Sequence, residues 1–264
     1  MHKLRRKLYS QNFLKKPALA RKLVGSSSIC KNDLVLEIGP SKGIITDVLL
    51  ERAQHVIAVE IDNRLYNYLE ERYHNTGNIT LHRDDILRFK LPRLRYKVFA
   101  NIPFAIEGKI VRRLLNSAQP PEDCYLFMLR ELAFRLCAFN SNNLFSAMHK
   151  PWFDFSIPQH FKKNDFSPSP SVNSVLFRFK NKKVPLLPEN EKKSYQRFVR
   201  IGYQNGLPVY KNLRKLYGEK YTQKALSRNG LNKKSKPGWL SVEDWVGLYQ
   251  LLSKALDRGH TKSL

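Results

Sequence analysis

The chain has 264 residues, 42% of them apolar and including 15 Phe and 12 Tyr. That fills one large domain or two unequal ones and excludes a disordered chain. Lys and Arg number 47 against 22 Asp and Glu, a net charge of +25, which points to a polyanionic partner, nucleic acid before an anionic membrane. No apolar run approaches a membrane-spanning helix, and no apolar stretch follows the basic residues 1–8 as a secretory signal requires. Cys30, Cys124 and Cys137 are scattered without metal-ligand spacing. An odd, sparse count fits a reducing cytoplasm, and no structural metal is expected.

Residues 1–24 hold eight Lys or Arg and no acid. They read as a basic arm, either solvated or carrying a small docking motif around Asn12, Phe13 and Leu14. Residues 33–39 form a short apolar strand that stops at Gly39, the turn runs to Gly43, and 44–53 has helical spacing. A second strand, 55–60, ends in Glu60; 63–73 is helical; 78–83 is a third strand followed by Asp84, Asp85 and Ile86. Strand 96–100, helix 106–115, strand 124–129 and helix 131–139 continue the alternation. Such alternation predicts an α/β fold with a mostly parallel sheet covered on both faces. Two further β-type runs, 152–160 and 172–179, have no helix between them and are expected to pair antiparallel at one edge.

Residues 181–190 hold prolines and read as a linker. Helical patterns follow at 191–203, 209–217, 221–228 and 242–256. Residues 181–264 carry 18 basic and 6 acidic side chains, about twice the charge density of the rest. The expected organisation is therefore an arm (1–24), an α/β domain (25–180) and a small all-α, basic domain (181–264).

In an open α/β sheet, ligands lie beyond the carboxyl ends of the strands. Asn101 stands at one such end, and its amide can accept from an amino group. Pro103 fixes φ and biases Ile102 to extended geometry, and Phe104 offers a flat face to a planar base. The same residues also suit an ordinary turn. Gly39 and Gly43 let backbone approach a ligand, but neither a dinucleotide G-x-G-x-x-G nor a lysine-terminated phosphate loop is present. Glu60, 21 residues after Gly39, is suited to ribose hydroxyls. Asp85 is placed to accept from an adenine amine, or else to serve as a cap or turn residue, and Ile86 to lie against the ring. A nucleoside cofactor without phosphates fits, S-adenosylmethionine being the common one.

Gln11-Asn12-Phe13-Leu14, Glu37-Ile38-Gly39-Pro40-Ser41-Lys42-Gly43, Val59-Glu60-Ile61-Asp62, Asp85-Ile86-Leu87, Asn101-Ile102-Pro103-Phe104 and Phe166-Ser167-Pro168 occur in that order. Together they resemble the ribosomal RNA adenine N6-methyltransferases, and within them the Erm group, which modifies 23S rRNA and confers macrolide, lincosamide and streptogramin B resistance. The resemblance implies a Rossmann-like methyltransferase sheet with an antiparallel edge hairpin and a helical RNA-binding domain. It implies S-adenosyl-L-methionine as cofactor, large-subunit ribosomal RNA with an unpaired target adenine as partner, and a cytoplasmic monomer that needs no membrane or metal. By this likeness Asn12 and Leu14 close over the cofactor, Gly39 approaches its methionine part, Glu60 takes the ribose, and Asp85 and Ile86 take the adenine. Asn101, Ile102, Pro103 and Phe104 form the catalytic motif, and Phe104 and Phe166 sandwich the flipped base. For Phe166 the residues alone leave a second reading open, a core residue at the base of the hairpin. Ser41 stands where the family usually has glycine, and Phe104 where tyrosine is commoner. The alternatives are a small-subunit rRNA dimethyltransferase of similar fold and a non-catalytic RNA-binding relative that keeps the fold.

Overall fold

A computed structural model describes residues 13–14, 16–138, 142–167 and 172–257. Asn12 and the basic residues Lys3, Arg5, Arg6 and Lys7 lie outside the described residues, as do Phe139 and Pro168. The chain divides into two compact units, residues 1–133 with 155–181, and 134–154 with 182–264.

In the first unit, helix α1 (Pro17–Gly25) starts with proline at a first-turn position, where the missing N–H costs nothing. Its Ala20, Leu23 and Val24 enter the core. Strand β1 (Phe13–Leu14) precedes it. Strands β2 (Leu34–Ile38), β3 (His55–Glu60), β4 (Ile79–Arg83), β5 (Lys97–Asn101) and β6 (Asp123–Leu129) follow. Between them stand α2 (Ile44–Arg52), α3 (Asn63–Tyr73) and α4 (Glu107–Leu115). Helix α3 is capped by Asp62, whose carboxylate accepts from the N–H groups of Arg64 and Leu65 at 2.8 and 3.3 Å.

The seven-stranded sheet has the order β4-β3-β2-β5-β6-β9-β7, where β7 is Phe153–His160 and β9 is Ser174–Asn181. From β4 to β6 all neighbours are parallel, and β9 runs antiparallel to β6. Strand β7 forms the edge beside β9, as the two β-type runs predict. Phe161 N–H donates to Ser174 O at 3.1 Å and Lys182 N–H to Trp152 O at 2.8 Å, a pairing of opposite chain ends. The order has a consequence for ligands. From β2 the chain steps to β3 and β4 on one side, then returns to β5 and β6 on the other, so the gap between β2 and β5 is the switch point of a doubly wound sheet.

The second unit holds the end of α5 (Arg130–Cys137), α6 (Leu144–His149), α7 (Lys192–Gly202), α8 (Val209–Tyr217), α9 (Glu219–Arg228) and α10 (Val242–Asp257). Its centre is aromatic: Phe198 meets Tyr217, Trp245 and Tyr249 edge-on. Residues 134–154, including the first two residues of β7, belong to this unit rather than to the first, which moves the boundary drawn from composition. The cause is local: Tyr195 donates to Ala147 O at 2.9 Å, and its ring packs on Trp152 and Tyr249. No described helix is long and apolar enough to cross a membrane.

Candidate active site

The turn after β2 contains three left-handed residues within five: Gly39 (φ 69°), Ser41 (φ 59°) and Gly43 (φ 85°). At Gly39 a Cβ would stand 3.7 Å from Asn101 O, so its backbone runs beside the last residue of β5, across the switch point. At Gly43 a Cβ would meet the Tyr73 hydroxyl at 2.3 Å, so that glycine is required by packing as well as by φ. Tyr73 holds the turn from below, donating to Asp47 Oδ1 at 2.7 Å with Gly43 O 3.2 Å away. Ser41 occupies a conformation that costs a non-glycine residue roughly 1–2 kcal/mol. Its N–H donates to Glu60 Oε2 at 3.1 Å, while its Oγ is buried without a partner among the described residues.

Glu60 closes β3 and is 1% exposed. Its second oxygen accepts from Asp62 N–H at 2.9 Å. Burial pushes the carboxyl up, and the N–H groups of Asp62, Ser41 and Ile61 pull against that. Each oxygen has spare lone-pair capacity beyond these bonds. Glu37, one strand over on β2, is also 1% exposed. Burial pushes its carboxyl up to about 8, opposed by the Thr46 hydroxyl and reinforced by the charges of Glu60 and Asp47. Glu37 Oε2 has no hydrogen-bond partner among the described residues. Two buried acids and an orphaned hydroxyl around a left-handed turn leave polar capacity that the protein does not itself fill.

Asp85 follows β4 and stabilises its own turn: Oδ1 accepts from Leu87 N–H at 2.9 Å, and its carbonyl accepts from Arg88 and Phe89, both at 2.7 Å. This is the turn role that the residue type allowed. Ile86 beside it is buried at 6% exposure.

Asn101 ends β5 opposite Phe127 of β6 and is half-buried. Ile102 is buried, and Pro103 is extended at φ −65°, ψ 125°. Phe104 is half-buried and opens a single 3₁₀ turn closed by Ile106 N–H to Pro103 O at 3.1 Å. Glu107 then begins α4, 4% exposed, with Oε2 accepting from Leu129 N–H at 2.9 Å. It ties the motif's helix to the end of β6. Sequence reasoning passed over Glu107; a lone acid at a helix start reads as a routine dipole partner, and its target lies 22 residues away.

Phe166 corrects an expectation. It is 1% exposed, with its ring edge-on to Phe161 at 5.4 Å and Phe127 at 6.3 Å. It stands in the core, the second reading that the sequence allowed, and offers no free face to a base. The reason is a two-residue ladder: β8 (Phe166–Ser167) pairs antiparallel with β1, Leu14 opposite Phe166. Leu14, at 3% exposure, is part of the same core. Two motifs distant in sequence are thus joined, while Asn12 lies outside the described residues. The structure brings Gly39, Ser41, Glu60 and Asn101 to the carboxyl ends of three adjacent strands, with the turn residue Asp85 following the fourth.

These residues fit S-adenosylmethionine. The Cβ-free surface of Gly39 beside Asn101, the acid beside the turn and the unused polar atoms of Ser41 and Glu37 provide for a nucleoside with a charged amino-acid tail.

The sequence pattern of the family described as ribosomal RNA adenine dimethylase matches residues 1–254. An rRNA adenine N-6-methyltransferase of Bacillus anthracis is 26% identical over 246 residues, 92% of this chain and 86% of that protein. Ribosomal RNA small subunit methyltransferase A of Streptococcus equi subsp. zooepidemicus is 29% identical over 239 residues, 86% and 82% of the two chains. Among solved structures, the 23S rRNA methyltransferase ErmE superposes with a TM-score of 0.79 at 24% identity, covering 92% of this chain and all of that one. A dimethyladenosine transferase from Plasmodium falciparum gives 0.77 at 21%, covering 92% and 98%. Both likenesses establish the fold, with its sheet and its helical region.

Proposed function

The chain belongs to the ribosomal RNA adenine dimethylase family, and from that premise we propose that it transfers a methyl group from S-adenosylmethionine to the N6 amine of an adenine in 23S rRNA, with macrolide, lincosamide and streptogramin B resistance as the outcome. The observation that carries the methyl-transfer reading is the approach of Gly39 to Asn101 across the β2–β5 switch point, with Glu60 alongside. The large-subunit assignment rests on the likeness of Asn101-Ile102-Pro103-Phe104 and the preceding Phe99-Ala100 to the Erm group.

When bound, the cofactor supplies a methyl on a positively charged sulfur, already a strong electrophile. Gly39 and Ser41 would line its amino-acid part, Glu60 would accept from its ribose, and Asp85 and Ile86 would flank its adenine. An adenine amine is a poor nucleophile because its lone pair is delocalised into the ring. The Asn101 side-chain oxygen and the Ile102 carbonyl accept its two N–H bonds, which favours a pyramidal nitrogen with its lone pair turned toward the methyl. The nitrogen that accepts the methyl carries the positive charge given up by the sulfur and sheds its surplus proton, past the acceptors Asn101 and Ile102, to water. The work is positioning and electrostatics, and no side chain needs to titrate near neutrality. Phe104 stacks on the extruded base, and Phe166 supports the site from within the core. By the likeness, Asn12 and Leu14 are the residues that would close over the cofactor.

Unpaired RNA makes extrusion cheaper and suits specific recognition. Cations are available for its backbone. Arg88, Lys90, Arg93, Arg112 and Arg113 line a cleft of about 1120 Å³ beside α4. Lys211, Arg214 and Lys215 are exposed on α8. We place the reaction in the cytoplasm, with the chain acting as a monomer.

A second reading, the small-subunit dimethyltransferase, is favoured by the 29% identity to a protein of that name. Labelled methyl transfer to purified 23S and 16S rRNA in parallel separates the two. Label on 23S alone supports the proposal; label on 16S alone replaces it with the second reading.

A further inference from the structure

Of the three tryptophans, Trp152 and Trp245 are buried at 2% and 0% exposure, whereas Trp239 is 68% exposed. We propose that Trp239 is a stacking platform for an unpaired RNA base, held in a lysine-bearing loop of the helical unit and separate from the methyl-transfer site. The inference rests on the reading that the substrate is RNA.

The loop from Asn229 to Trp239 contains Lys233, Lys234 and Lys236, all exposed, and no acid. Lys236 Nζ lies 5.7 Å from the centre of the Trp239 ring. Lys233 Nζ lies 4.9 Å from the Tyr210 ring and Arg214 stands 5.5 Å from the same ring, which joins the loop to the cations of α8. Cations interleaved with an exposed aromatic face are the arrangement that binds single strands: charge tracks the backbone and the ring takes a base.

The loop is also fixed in shape. Asn232 N–H donates to Ser235 Oγ at 3.0 Å, and Lys234 N–H to Asn232 Oδ1 at 2.8 Å. Val209 N–H donates to Ser235 O at 3.0 Å, Tyr203 to Pro237 O at 3.2 Å, and Trp239 N–H to Lys236 O at 3.0 Å. An indole displayed on a pinned backbone loses little conformational freedom on binding. The surrounding charge selects a polyanion over an apolar protein pocket.

Because the other two indoles are buried, Trp239 reports on itself. The test titrates the full-length protein with a short single-stranded RNA, following tryptophan fluorescence and, independently, anisotropy of labelled RNA. The expected results are quenching on binding, no matching quench from an abasic oligomer of equal charge, retention of affinity in Trp239→Phe and a loss of roughly tenfold in Trp239→Ala. Trp239→Ala binding as tightly as the parent, or an abasic oligomer quenching equally, overturns the inference while leaving the RNA reading intact. Quenching by anionic lipid vesicles but not by RNA assigns the platform to a membrane and also overturns it. Failure of the protein to bind any RNA removes both the inference and the reading beneath it.

Discussion

The two units are built around different interiors. In the sheet-containing unit, Glu37, Glu60, Glu107 and Asp123 are all buried. Asp123, away from the site, is fully answered: Arg178 grips it with two bonds of 2.8 and 2.6 Å, and Ser28 donates at 2.8 Å. Glu107 and Glu60 are answered by backbone N–H groups. Around the β2 turn, buried polar atoms of Glu37 and Ser41 have no partner among the described residues, and a non-glycine residue stands in a left-handed conformation. In the helical unit the interior is aromatic, and exposed cations such as Lys211, Arg214, Lys215, Lys234 and Lys236 stand outside. Unfilled polar atoms beside a left-handed turn at the strand ends are what the proposed cofactor site would use, at some expense in stability. Charge spread over an aromatic core is the surface that the proposed RNA partner would meet.

The sharpest way to break this contrast is Asn101→Ala. It should lower methyl transfer by at least about a hundredfold, the scale of losing a placed hydrogen-bonding group in a transition state. RNA affinity should be unchanged. Equal losses in transfer and RNA binding would show that Asn101 serves the fold instead.

Two glycine variants probe the units separately. Gly43→Ala places a Cβ 2.3 Å from the Tyr73 hydroxyl, and Gly202→Ala places one 2.4 Å from the Trp245 ring. Each should cost about 1–3 kcal/mol of stability in urea unfolding. Cofactor affinity measured by calorimetry should fall with Gly43→Ala and hold with Gly202→Ala.

The pH dependence should differ in sign between the units. Native Glu37 keeps its proton up to about 8, whereas in the unfolded chain it ionises near 4.5. Unfolding in that window releases a proton, so stability falls as pH rises from 4.5 to 8. Glu37→Gln should flatten that fall. His149 on α6 behaves oppositely: burial, then the charges of Lys192 and Arg200, push it down to about 3 from 6.5. The unfolded chain takes up a proton that the native state refuses, so stability falls as pH drops from 6.5 toward 3, and His149→Asn should flatten that limb. Melting temperature across a pH series reads both.

The smallest effect expected is a gain. Ser41→Gly removes left-handed strain and an orphaned buried hydroxyl, offset by the greater backbone freedom of glycine in the unfolded chain. It should stabilise by about 0.5–1 kcal/mol, measurable as a shift in denaturation midpoint.

Much of this was legible in the sequence because the relevant signals are local. Strand β3 and helix α3 fall on residues 55–60 and 63–73 as read, since an apolar run ending at Glu60 and an Asp62 cap are complete within a few residues. The placement of Asn101 at a strand end followed from Pro103. What was not legible depends on pairs distant in sequence. The join of Leu14 to Phe166, which turns a supposed base cover into a core ring, is a two-residue ladder with no periodicity to announce it. The transfer of residues 134–154 to the helical unit rests on Tyr195 reaching Ala147. The strain at Ser41 is invisible in a residue type that is common in turns, although its place between two glycines was a hint.

The central claim is met most directly by one experiment. The purified protein is incubated with methyl-labelled S-adenosylmethionine and 23S rRNA, and the product is digested to nucleosides and mapped. The account predicts label on the N6 atom of a single adenine, absent when Asn101→Ala is used although that variant still binds the RNA. Label on another atom or base, or no transfer to any ribosomal RNA by a parent protein that binds both cofactor and RNA, would contradict it.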